Sequence, residues 1–139
     1  MDKKCSFITD ATTHEESGLL TMPVSERLIW GRTVAHTVPL PPKCCPVSDN
    51  PIEGSTITLE YQPGAHTLEV YSLTKLLQLF VGGFAGNGYY PPERNMEGMV
   101  ELIAQMAADA LKCPVTFTSH VLLTKNCGTM KISGVARPR

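Results

Sequence analysis

The chain predicts an α+β domain, an antiparallel sheet with helices packed on one face. Three observations carry that expectation. Residues 56–61 alternate Thr56, Thr58 and Glu60 with Ile57, Leu59 and Tyr61, the period of a half-buried strand. From Ser72 to Leu111 the apolar spacing changes to that of helices. Residues 115–123 and 129–135 then return to strand composition around the turn Asn126-Cys127-Gly128. The order strand, strand, helix, helix, strand, strand is that of an antiparallel α+β unit.

Taken in order, residues 1–27 are polar and aperiodic and read as a flexible tail or lid, leaving residues 28–139 as one domain. Residues 28–38 are rich in β-branched side chains and predict a strand. It runs into a proline loop, Pro39-Leu40-Pro41-Pro42-Lys43-Cys44-Cys45-Pro46-Val47-Ser48-Asp49-Asn50-Pro51. After the strand at 56–61, Pro63-Gly64 supplies a turn and residues 67–71 are expected to return as its hairpin partner. Leu73, Leu76, Leu77 and Phe80 form one helical face, with Ser72 placed as N-cap. The glycine-rich stretch 82–88 breaks that helix, and it lacks the Lys-Ser/Thr of a phosphate-binding loop. Past Pro91-Pro92 a second helix carries Met96, Met99, Val100, Ile103, Ala107, Ala110 and Leu111 on one face. Its methionines read as core filler. A sheet covered on one side leaves exposed edges, so closure by homo-oligomerisation is expected, with active sites at subunit interfaces.

Composition removes several classes of function. The formal net charge is −1, with acids and bases scattered, which argues against a general nucleic-acid binder. The longest apolar stretch, 76–85, is interrupted by Gln78, Gly82 and Gly83 and is too short to span a bilayer. No apolar segment follows Lys3 and Lys4, so neither a signal peptide nor a membrane partner is expected. The five cysteines include no C-x-x-C pair or zinc-finger spacing; free thiols in a reducing cytoplasm, and no metal, are the expectation.

Cys45 carries the sharpest chemical signal. Proline cannot continue a helix and is excluded from central strands, so this thiol belongs to a constrained extended loop beside a sheet. A rigidly presented thiol serves covalent catalysis once a neighbour favours the thiolate. Glu97 opens the second helix, where a carboxylate ordinarily just complements the helix dipole. It could instead accept paired N–H donors from a guanine-like edge, and Glu93 is its local competitor. His120 falls on the polar face of its strand and could transfer protons near neutral pH. His36 has two open readings, surface or site. Asp49 and Glu53 follow Cys45 closely enough to act as proton carriers or to be simple turn acids.

The segment from Pro39 through Cys45-Pro46-Val47-Ser48 to Pro51, followed by Thr56-Ile57-Thr58-Leu59-Glu60-Tyr61-Gln62-Pro63, resembles the 7-cyano-7-deazaguanine reductase (QueF) family. The resemblance covers roughly residues 32–135. It implies a tunnelling fold (T-fold), oligomerising into a β-barrel. It also implies that Cys45, rather than Cys44, attacks a nitrile carbon to form a covalent thioimide. Glu97 would anchor the deazaguanine base, with Ser72 and Leu73 as further substrate-binding residues.

Departures from the family pattern refine this. The family's acid falls on Ile52, so Glu53 becomes the candidate acid alongside His120, with Asp49 a third choice. Met96 replaces the His that precedes the anchoring Glu. In the NADPH motif, Glu69-Val70-Tyr71-Ser72-Leu73-Thr74-Lys75, both expected lysines are lost, to Tyr71 and Thr74, leaving only Lys75. Losing cations that face phosphate weakens the basis for NADPH and points to the QueF-like amidinotransferases of archaeosine synthesis, which use ammonia and no cofactor. Ser48 and Leu122 stand where the zinc-dependent GTP cyclohydrolase relatives carry a His and a Cys, which excludes that branch. The expectation is therefore an amidine-forming enzyme acting on a 7-deazaguanine nitrile, free or within nucleic acid. An NADPH-dependent reductase and a non-catalytic purine- or pterin-binding oligomer are the alternatives.

Overall fold

The computed structural model describes residues 19–23, 32–45, 48–81 and 96–139. Its elements are β1 (Thr21–Pro23), β2 (Val34–Pro39), β3 (Thr56–Tyr61), β4 (His66–Leu68), α1 (Val70–Gln78), α2 (Met96–Leu111), β5 (Val115–Leu122) and β6 (Thr129–Ala136). A four-stranded antiparallel sheet runs in the order β2-β3-β5-β6, and β1 pairs with β4 in a separate two-stranded ribbon. The α+β class expected from the periodicities is the one observed. The glycine-rich stretch 82–88, Pro91-Pro92, Glu93, His14, Cys5 and the remainder of the tail fall outside the described residues.

Alternation decides which face of the sheet meets the core. Ile57, Leu59 and Tyr61 of β3 and Val115, Phe117, Ser119 and Val121 of β5 are buried on one face. The helix α2 packs on β5 and β6, and α1 adds Leu73, Leu76 and Leu77 to the same core. The opposite face is polar, and register aligns Thr37, Thr58, Thr118 and Ser133 in one row across all four strands. Thr37 and Thr58 share a hydroxyl hydrogen bond of 2.8 Å within that row. In the last turns of α2, Asp109 receives the Arg139 guanidinium at 2.7 Å, and the Gln105 amide donates to Arg137 O at 2.7 Å. Burial alone would raise the Asp109 pKa, but the hydrogen bonds and charge of Arg139 and the Gln105 amide prevail and lower it.

Two local expectations are corrected. Residues 67–71 do not return as the hairpin partner of β3, because β2 and β5 already occupy both of its edges. The strand ends at Leu68, where Glu69 becomes the N-cap of α1: its carboxylate accepts the Tyr71 N–H at 2.6 Å and the Ser72 N–H at 2.9 Å. Ser72, expected as the cap, lies inside the first turn and donates its hydroxyl to Glu69 O at 2.8 Å. The N-terminal segment also contributes structure, since β1 pairs with β4 and Leu19 is buried.

Tyr61 joins the two sheets. Its hydroxyl accepts the buried Leu68 N–H at 2.9 Å and lies 2.9 Å from His36 Nε2, with the two rings stacked. Burial lowers the His36 pKa from its ordinary 6.5. As pH falls, the unfolded chain takes up this proton before the folded one. His36 therefore opposes folding as pH drops below about 6.5 and costs nothing above it. Urea midpoints measured on either side of that value should fall toward acid, and His36→Gln should flatten that part of the profile. A second expectation concerns Gly134, where a Cβ would lie 2.8 Å from Phe117 Cζ. Ala ordinarily gains about 0.5–1 kcal/mol over Gly in a strand. Overpacking costs about 1–3 kcal/mol and should prevail, so Gly134→Ala should lower the urea midpoint.

Candidate functional site

The described limbs of the loop between β2 and β3, residues 40–45 and 48–55, continue the sheet. They are joined by Leu40 N–H to Ser55 O at 2.8 Å, Lys43 N–H to Pro51 O at 3.0 Å and Cys45 N–H to Asn50 O at 2.9 Å. Lys43 adopts a left-handed backbone with φ 58° between the first two rungs and the cysteines. Both thiols are buried: Cys44 is fully enclosed and Cys45 keeps 8% of its surface. Of the two, Cys45 is the less completely enclosed. None of the four described cysteines forms a disulfide.

A second set of bonds fastens this loop to the end of β5. Ile52 N–H donates to Leu122 O at 2.9 Å. The buried Ser55 hydroxyl accepts the Leu122 N–H at 2.8 Å and donates to Ile52 O at 3.0 Å. Asn50 Oδ1 accepts the Thr124 N–H at 2.8 Å. Gly54 fits because φ is +101°, where side chains are strained, and an added Cβ would meet Leu122 Cδ1 at 3.0 Å.

The acids and histidine proposed from sequence take distinct positions around this anchor. Glu53 is exposed and directly follows Ile52, whose N–H bonds to Leu122 at the end of β5. His120 is exposed on the polar face of β5, paired with Thr56 on one side and Lys131 on the other. Asp49 is exposed at the tip of the loop beside Asn50. Glu97 is exposed in the first turn of α2. The short connection 112–114 makes α2 antiparallel to β5, so Glu97 starts from the same end of the sheet as the Cys45 loop. It belongs to the helix layer, however, while His120 lies on the opposite face. Within one chain the sheet separates them.

Ser72 and Leu73 lie elsewhere, buried in α1. The Ser72 hydroxyl accepts the Leu20 N–H at 2.9 Å, so it ties β1 to the helix. An open depression of about 390 Å³ beside it is lined by Leu20, Glu69, Tyr71 and Lys75 among others. Another of about 390 Å³, at the far end of the sheet, is lined by Thr33, Glu60, Tyr61 and Thr116 among others. Neither depression is lined by Cys45, Glu53, Glu97 or His120. His36 is engaged by Tyr61 and stands apart from the thiol loop. Among the described residues, no group of three His, Cys, Asp or Glu could hold a metal ion, and no helix is long and apolar enough to cross a membrane.

Asn50 and Ser55 are the residues that sequence reasoning passed over. Their only signal was local, a turn former before Pro51 and a small hydroxyl before β3. No protein-family model matches the chain, and no curated protein matches it. Ser55→Ala removes the partner of a Leu122 N–H and should cost about 1–3 kcal/mol in urea denaturation. The exposed control Ser133→Ala should stay within about 0.5 kcal/mol. Equal effects for the two would contradict the anchoring role.

Proposed function

We propose that the chain is a tunnelling-fold enzyme resembling the QueF family, which acts on the nitrile of 7-cyano-7-deazaguanine through Cys45. The observation that carries this reading is the position of Cys45, a nearly enclosed thiol with 8% of its surface exposed, in a hydrogen-bonded loop fastened to the strand that bears His120. In the proposed reaction the Cys45 thiolate adds to the nitrile carbon while Glu53 or His120 delivers a proton to the nitrile nitrogen. The product is a covalent thioimide. Ammonia then adds to the same carbon, the C–S bond breaks, and the amidine leaves with the thiol restored.

Ammonia is favoured over hydride by the surface of α1. Tyr71 and Thr74 are exposed there, where the resembling reductases place lysines for NADPH. Glu97 would anchor the base. Because the sheet separates Glu97 from His120 within one chain, the complete site would form between subunits of a homo-oligomer. The outer edges of β2 and β6, each paired on one side only among the described residues, are available for that assembly.

Intact mass after incubation with 7-cyano-7-deazaguanine tests the reading. An adduct is expected that Cys45→Ala abolishes and Cys44→Ala retains. Ammonium should release it as the amidine. Release as the amine by NADPH would instead indicate the reductase, and no adduct under any condition would favour a non-catalytic purine- or pterin-binding oligomer.

A further inference from the structure

We infer that Asn50 is the positioning residue for the Cys45 thiol. Three of its polar groups are engaged at once, each with a different part of the site. The Asn50 carbonyl accepts the Cys45 N–H at 2.9 Å, which fixes the backbone from which the thiol projects. Its side-chain Oδ1 accepts the Thr124 N–H at 2.8 Å, just past the end of β5. Its own N–H points to Ser48 Oγ at 3.3 Å, which gathers the loop tip. Among the described residues, Asn50 thus connects the thiol's backbone to Thr124, just past the strand carrying His120. The Ser55 contacts hold the base of the loop to Leu122 but do not reach Cys45 directly.

The residue type follows from this geometry. The side chain must present an acceptor at short reach to an N–H of the main chain. Asn and Asp both do so, and Ala does not. Cys45 is 8% exposed, so releasing the clamp should make the thiol easier to reach while making its direction less defined. Reaction with a small unselective electrophile and reaction with an oriented substrate should then move in opposite directions. Loss of a productive near-attack geometry is the reason for the second effect.

The experiment uses the full chain and its Asn50→Ala and Asn50→Asp variants. Each is treated with iodoacetamide, and alkylation is followed at every cysteine by peptide mass spectrometry, with exposed Cys127 as internal reference. Asn50→Ala should raise alkylation at Cys45 by about fivefold or more relative to Cys127, the change in local opening expected on losing one such hydrogen bond. Asn50→Asp should return within about twofold of the parent, because its carboxylate still accepts. Unchanged Cys45 alkylation in Asn50→Ala would overturn the assignment. So would a parallel rise at enclosed Cys44 and at Cys113, which is the mark of general destabilisation.

The orientation of the thiol toward a nitrile rests on the proposed function, and a separate arm tests it. The rate of thioimide formation should fall in Asn50→Ala while alkylation rises, and recover in Asn50→Asp. Failure of the parent chain to form any adduct would reject the nitrile reading, leaving the alkylation arm to decide the clamp.

Discussion

The end of β5 is a strand terminus whose next partner is a loop. β3 pairs with β5 only as far as Thr56 and His120, and beyond that point the β5 backbone needs other partners. The preceding loop supplies them. Ile52 N–H and Ser55 Oγ close on Leu122, and Asn50 Oδ1 closes on Thr124, so the ladder continues with side chains doing part of the work of a strand. The arrangement satisfies β5 and restrains the loop at the same time. A proline-rich segment that would otherwise be held only at Pro39 and Thr56 acquires a fixed seat.

That seat explains the placement of the two adjacent cysteines. Leu40, Pro41, Cys44 and Cys45 are all buried and anchor the first limb of the loop, with Cys45 keeping 8% of its surface against none for Cys44. The rungs from Lys43 to Pro51 and from Cys45 to Asn50 set the second limb against the first. Glu53 and His120 are brought to the same end of the sheet by the same bonds. Glu97 reaches that end through the antiparallel course of α2, yet on the other side of the sheet. Under the proposed function a reaction that uses both faces would call for a second copy of the chain, and the edges of β2 and β6, each paired on one side only among the described residues, would offer it a place to bind.

The regular elements were legible in the sequence because each has a period. Ile57, Leu59 and Tyr61 declare β3, and the apolar stripe from Met96 to Leu111 declares α2. The failures came where two local signals overlapped. Residues 67–71 alternate like a strand, but Glu69 can also cap a helix by accepting two N–H groups, and with β3 already flanked the cap prevailed. Thr21–Pro23 carry too little pattern in a polar segment to announce a strand. At the candidate site, the cysteine loop and the exposed His120 could be read from residue type and alternation. The clamp could not, since Ser55 and Asn50 bond to residues 67 and 74 positions away. A small polar side chain carries no mark of so distant a partner.

The central claim is that the Cys45 loop is a fixed extension of the sheet, and amide hydrogen exchange measures that directly. The amides of Cys45, Leu122 and Thr124 should exchange as slowly as those within β5, because they open only when the sheet does. Exchange at these three positions as fast as at the exposed turn residues Lys125 and Asn126 would show that the loop opens independently, and would contradict the account.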